Sequence, residues 1–269
     1  MIASSRGHKM TYRMWKNHPD PQNLLMFTES SLKLWDINRN ISSYLGSIPK
    51  SQLPDTHVYL LAGICDLTFR DYDKYYNEYE IYDEVTFSEH PDQAVARVSK
   101  TILAVTEKIA KLGAVPCIPT IVPCSLDVYN NYRLNEYKTS FLLHYPKYSD
   151  MQENLITTID RLNKFIIGVN KTYNMITPQL ADTIRTNMGK GKPHRVHYMR
   201  LKDGNHPTKV LADLWSDKML QAMANNRYSR RQIDTDWPCL EEDLETSIME
   251  SLNRSAEEEL RAARCYVAE

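Results

Sequence analysis

Asp203 and His206 stand three residues apart in Asp203-Gly204-Asn205-His206, which runs into an amphipathic pattern with Pro207 and Thr208 at its start. Proline is tolerated in the first turn of a helix and threonine caps one, so the pair belongs to a loop just ahead of a helix. At that spacing a carboxylate can hold one ring nitrogen of the histidine, fix its tautomer and leave the other nitrogen to act as a general base. A base needs a nucleophile. The chain begins Met1-Ile-Ala-Ser-Ser-Arg-Gly-His8, which reads as the end of a short strand turning into a helix. A Ser4 or Ser5 hydroxyl at that turn would be exposed at the carboxyl end of the strand. Each feature also has a plainer reading, because Asp, His and Ser all serve as caps and surface groups at helix starts.

The elements that must position these residues follow from hydrophobic spacing. Residues 57–63 are almost continuously apolar, which suits a central strand covered on both faces. Residues 23–28 read as a second strand, followed by a helix over 31–44 carrying Leu32, Leu34, Trp35, Ile37 and Ile41. From Pro91 onward, Val95, Val98, Ile102, Val105, Ile109 and Leu112 recur three and four apart as one apolar stripe, and Gly113 ends it. A proline-rich strand over 114–123, a helix over 151–172 and short strands near 174–177 and 194–199 come next. The last amphipathic helix turns Val210, Leu211, Leu214, Trp215 and Met219 inward. Strands alternating with long helices predict an α/β protein built on a parallel sheet.

The predicted organisation is an α/β domain over 1–226 with two Tyr-rich inserted loops, near 70–90 and 125–150, followed by a charged, partly helical or disordered appendage over 227–269. The insertions and the acidic appendage are the candidate surfaces for a protein partner. Thirty-three Lys and Arg against 34 Asp and Glu give a net charge of -1, so no global field draws the chain to nucleic acid. No apolar run approaches the roughly 20 residues that span a bilayer. The five cysteines form no CxxC pair and no zinc-type spacing, and His194 and His197 lack a third ligand, so no metal is expected. Lys190-Gly-Lys192 is not a P-loop, and no cofactor fingerprint occurs. The first residues lack the apolar stretch of a signal peptide, and an intracellular, cytoplasmic location is expected.

Three blocks in order resemble the SGNH hydrolase (GDSL-like esterase) family. Ala3-Ser4-Ser5 with Arg6 is similar to its first block, Gly63-Ile64-Cys65-Asp66 to its third, and Asp203-Gly204-Asn205-His206 matches its last. The arrangement is also similar to esterase-like domains of some retrotransposon and viral proteins. The resemblance spans 1 to about 226 and implies a flavodoxin-like three-layer α/β/α sandwich with a five-stranded, mainly parallel sheet. It implies Ser5 as nucleophile, His206 as base and Asp203 as its orienting acid, acting on a small ester or acyl substrate. The oxyanion hole would combine the Ser5 amide, an amide near Ser30 and the side chain of Cys65, with Gly63 and Asp66 at the substrate.

Three positions depart from the family pattern. Cys65 replaces an Asn donor with a weak thiol, Ser4 replaces the Asp before the nucleophile, and 29–31 holds no Gly. A Glu29 carboxylate near the hole would oppose negative charge there. The expectation is therefore a serine hydrolase with an impaired oxyanion hole, or alternatively an inactive scaffold of the same fold that binds protein partners.

Overall fold

The computed structural model describes residues 1–71, 76–77, 80–81, 84–136, 148–186 and 195–233. Contacts separate the chain into a unit Met1–Asn226 and a unit Arg227–Glu269, the described part of the latter being helical. In chain order the elements are β1 (Ile2–Ala3), α1 (Thr11–Asn17), β2 (Phe27–Thr28), α2 (Leu34–Leu45), β3 (His57–Leu61), α3 (Ile64–Leu67), β4 (Phe69–Asp71), β5 (Tyr76–Asn77), β6 (Glu80–Ile81), β7 (Glu84–Thr86), α4 (Pro91–Lys111), β8 (Val115–Cys117), α5 (Leu126–Glu136), α6 (Tyr148–Thr172), β9 (Arg185–Thr186), β10 (Arg195–Val196) and α7 (Lys209–Ile233).

The central sheet is parallel throughout, in the order β2-β1-β3-β8. Side chains alternate across it. Ile2, Val58 and Leu60 face one core with α2, α4 and α6, whereas Ala3, Tyr59, Leu61 and Cys117 face the other with Met10 and Met14 near and on α1 and Leu211, Trp215 and Met219 of α7. These are the layers of an α/β/α sandwich.

Four strands, rather than the five implied by the resemblance, form the ladder among the described residues. The expected strand near 174–177 lies beside β8 but spends its hydrogen bonds elsewhere. The Ile176 N–H donates to Asn226 Oδ1 (2.6 Å) and the Ile176 carbonyl accepts from Asn226 Nδ2 (3.2 Å), while Pro178 has no N–H to offer. The same device secures the chain after β8. Asn170 clamps both backbone groups of Ile118 (2.9 and 2.7 Å) and Asn163 clamps those of Ile121 (2.6 and 2.9 Å). Seven residues apart on α6, these two amides face the same stretch. β8 is an edge of the ladder, which is why Pro116 is accommodated within it.

Both segments expected as inserted loops contain regular structure. Part of 69–86 is antiparallel ribbon, β4 pairing with β7 and β5 with β6. Residues 126–136 form α5, capped by Ser125 Oγ, which accepts from Val128 N–H (3.2 Å), and docked by Asn130, which clamps Val85 (2.9 and 2.8 Å). The remaining Tyr-rich stretches, residues 72–75, 78–79, 82–83 and 137–147, and the appendage from 234 onward lie outside the described residues, as does His194. Trp35 is 57% exposed with Arg39 against its ring, because Leu34, Ile37, Ile41 and Leu45 make the buried face of α2. Val210 and Leu214 likewise lie outside the buried stripe Leu211, Ala212, Trp215, Met219 of α7. No described helix is long and apolar enough to cross a membrane.

Replacing Asn163 by Leu would leave a buried N–H and C=O of Ile121 unsatisfied, each costing about 1–3 kcal/mol. Asn163→Leu is expected to lower unfolding free energy by about 2–4 kcal/mol in denaturant titration, with the α-helical signal of the folded state retained.

Candidate active site

β1 ends at Ala3, and the Ser4 N–H extends its pairing by one bond to the Leu61 carbonyl (3.0 Å). Ser4 is thereby fixed in extended conformation with its side chain buried at 2% exposure. The backbone then tightens into a 3-10 turn, Ser5–Gly7, which delivers Ser5 to a cleft at the carboxyl ends of the strands. Of the two adjacent serines, Ser5 is the one placed beside the histidine. Its Oγ lies 3.0 Å from His206 Nε2.

His206 comes from a loop tied at its base by the Leu201–Pro207 bridge and by the Lys202 N–H donating to the His206 carbonyl (2.7 Å). Gly204 permits this loop. Its φ is +79°, and a Cβ there would meet Tyr129 N and Val128 Cβ at 2.9 Å. Asp203 Oδ1 accepts from the amides of Asn205 (2.9 Å) and His206 (2.6 Å), which turns Oδ2 toward His206 Nδ1 at 2.7 Å. Burial by itself would raise the Asp203 pKa, but the hydrogen bonds from the His206 ring and the two amides outweigh it and hold the carboxyl at about 2. An ionised Asp203 requires the proton on Nδ1, so Nε2 presents a lone pair to the Ser5 hydroxyl. The arrangement can remove a proton from Ser5 and store the resulting positive charge on the imidazole.

The cleft has a volume of about 490 Å³ and is lined by polar groups, Ser30, Ser31, Lys33 and Asn205 among them, and by Ile64, Phe69, Val85 and Tyr129. Ser30 and Cys65, the two candidate oxyanion residues, both line it. Ser31 adopts φ +59°, a left-handed conformation that favours glycine, at the segment where the family pattern has its Gly. Glu29 is not among the lining residues; its N–H donates to the Ala3 carbonyl (3.0 Å).

Gly63 and Asp66 are not brought to the cleft wall. Gly63, at φ +115°, packs where a Cβ would come within 2.7 Å of Ile121 Cδ1. The Asp66 carboxylate, 7% exposed, accepts the Leu34 N–H at 3.1 and 3.0 Å and so caps α2 from another segment. Both serve the packing beneath the site. Cys117 and Cys124 are buried as expected, and Cys124 also touches the cleft, its thiol pushed up to about 11 by burial. Lys33, Tyr129 and Asn205 are lining residues that sequence spacing did not single out, although Asn205 sits inside the motif that positions His206.

Arg6 lies under this arrangement at 4% exposure. Its Nη1 donates to the Val122 carbonyl (2.5 Å), and its Nε and Nη2 both donate to Asn205 Oδ1 (3.2 and 2.6 Å). The turn that carries Ser5, the segment after β8 and the loop that carries His206 are thus joined through one side chain.

No protein-family profile and no curated protein matches the chain. Among solved structures it is similar to a GDSL-like lipase from Bacteroides thetaiotaomicron, with a TM-score of 0.51 and 11% identity over 85% of this chain and 86% of that one. It is also similar to a psychrotrophic esterase from Pseudoalteromonas, with a TM-score of 0.43 and 13% identity over 83% and 95% of the two chains. The first likeness shows the fold: the chain has the SGNH hydrolase-like α/β/α architecture.

Burial raises the Asp66 pKa to about 6, only partly offset by the Leu34 amide, Lys33 and Arg97. A carboxyl that binds its proton more tightly when folded contributes stability that is full below the unfolded pKa near 4 and lost as pH rises through 6. Unfolding titrations of wild type and Asp66→Asn, compared at pH 4 and pH 7, are expected to show wild type losing about 2 kcal/mol relative to the variant across that window.

Proposed function

We propose that this protein is a serine hydrolase of small ester or acyl substrates, with Ser5 as nucleophile, His206 as general base and acid, and Asp203 as the group that orients and stabilises the imidazole. The observation that carries this reading is the unbroken hydrogen-bond chain from Asp203 Oδ2 through His206 to Ser5 Oγ, at 2.7 and 3.0 Å, opening on a cleft. The fold shared with a GDSL-like lipase supports it.

In the acylation step the Ser5 Oγ–H proton passes to His206 Nε2 as Oγ bonds to the substrate carbonyl carbon, and the C=O electron pair moves onto oxygen. The imidazolium is stabilised by the Asp203 carboxylate. Collapse of the tetrahedral intermediate breaks the bond to the leaving group, which takes the proton from Nε2. Water then enters, gives its proton to Nε2, and releases the acid from Ser5 by the reverse sequence. In this reading the Ser5 N–H and an amide near Ser30 would donate to the developing oxyanion, and the Cys65 thiol is a weaker donor than the amide it replaces.

Hydrolysis of short-chain p-nitrophenyl esters by the purified protein tests the proposal. Ser5→Ala and His206→Ala, with folding checked by circular dichroism, are expected to lose at least about 10³-fold in kcat, and Asp203→Asn about 10³–10⁴-fold through the wrong imidazole tautomer. Activity that is absent in wild type, or equal in all four proteins, would overturn the hydrolase reading and leave the partner-binding scaffold as the better one.

A further inference from the structure

Cys65 leaves the cleft short of a side-chain donor for the oxyanion, and Asn205 has such a donor ready. The two Arg6 N–H groups that converge on one atom of the Asn205 amide require that atom to be oxygen, because guanidinium only donates. The amide orientation is therefore determined, and Nδ2 carries the two remaining N–H groups. No described residue accepts from Nδ2, and Asn205 lines the same cleft as Ser5 and His206. The guanidinium behind it is unusual in its own right. Arg6 is buried, with neutral oxygens as its hydrogen-bond acceptors and no carboxylate within ion-pair distance among the described residues. A buried cation without an ion-pair partner is costly. Its charge polarises the Asn205 amide, whose residue lines the cleft, and the described lining adds the ammonium of Lys33 and no carboxylate.

We propose that Asn205 Nδ2, oriented and polarised by the buried Arg6, donates to the negative charge that develops on the substrate carbonyl oxygen, in place of the donor missing at Cys65. This rests on the hydrolase reading above. Arg6 is in this account a positioning residue, acting on substrate only through Asn205. A preorganised donor in a low-dielectric site acts on the transition state far more than on bound substrate.

Asn205→Asp keeps an acceptor for both Arg6 bonds and removes the N–H donor; Asn205→Leu removes both. Each is expected to lower kcat on p-nitrophenyl butyrate by about 10²–10³-fold with KM little changed. Affinity for a trifluoromethyl ketone, which forms an oxyanion adduct with serine, should fall in parallel, while affinity for the matching non-fluorinated ketone holds. Near-wild-type kcat in Asn205→Asp would overturn the proposal, including where Asn205→Leu is inactive, since the residue would then serve only to anchor Arg6. Equal loss of affinity for both ketones would also overturn it. In either case Ser5-dependent activity in wild type keeps the hydrolase reading intact, whereas its absence removes both.

Discussion

A buried backbone N–H or C=O must find a partner, and in this protein the strands are too short to supply one. β1, β2 and β8 contribute two or three residues each, so the chain leaves the ladder while still inside the molecule. Three asparagines complete the pairing, Asn163 on Ile121, Asn170 on Ile118 and Asn226 on Ile176, and Asn130 does the same for Val85 in the separate β4–β7 ribbon, each clamp giving one N–H and taking one. An amide side chain presents the same donor and acceptor pair as a neighbouring strand residue, and does so from a helix. The helices therefore hold the irregular segments that carry the site.

Those segments must also be held to one another. Ser5 sits after β1, Cys65 after β3, Cys124 after β8 and His206 ahead of α7, which is where an open α/β sheet gathers its ligand-binding loops. Arg6 draws three of these regions together through Val122 and Asn205. The cation is expensive in the interior, and among the described residues polar contacts within the carboxyl-end loops offset the cost rather than an ion pair. The guanidinium beneath the cleft contributes positive potential there, and the ionised Asp203, hydrogen-bonded to the imidazole, contributes the opposing charge.

Local pattern carried most of the scaffold. The stripe from Val98 to Ile109 is buried in α4 as its spacing requires, with Val95 half-buried at its start, and the apolar run at 57–61 is the central strand β3. Where pattern misled, a competing contact decided. Val210 and Leu214 fell outside the buried stripe of α7 because their neighbours Leu211 and Trp215 occupy the core. α5 was hidden because its weakly amphipathic surface docks through Asn130, a polar anchor that periodicity does not register.

For the candidate site, the sequence alone determined the residue types and one local geometry: three-residue spacing puts Asp203 against the amide and ring of His206, because a turn brings those atoms together without help from elsewhere. Tertiary structure decided the rest. It selected Ser5 over Ser4 by pairing Ser4 into the sheet, moved Asp66 from the substrate to the start of α2, and aimed the Asn205 amide through Arg6. The Ser5–His206 and Arg6–Asn205 contacts join residues 201 and 199 positions apart. Such pairs leave no periodic or compositional trace, since what brings them together is the packing of the sheet and its helices rather than any preference of the residues between them.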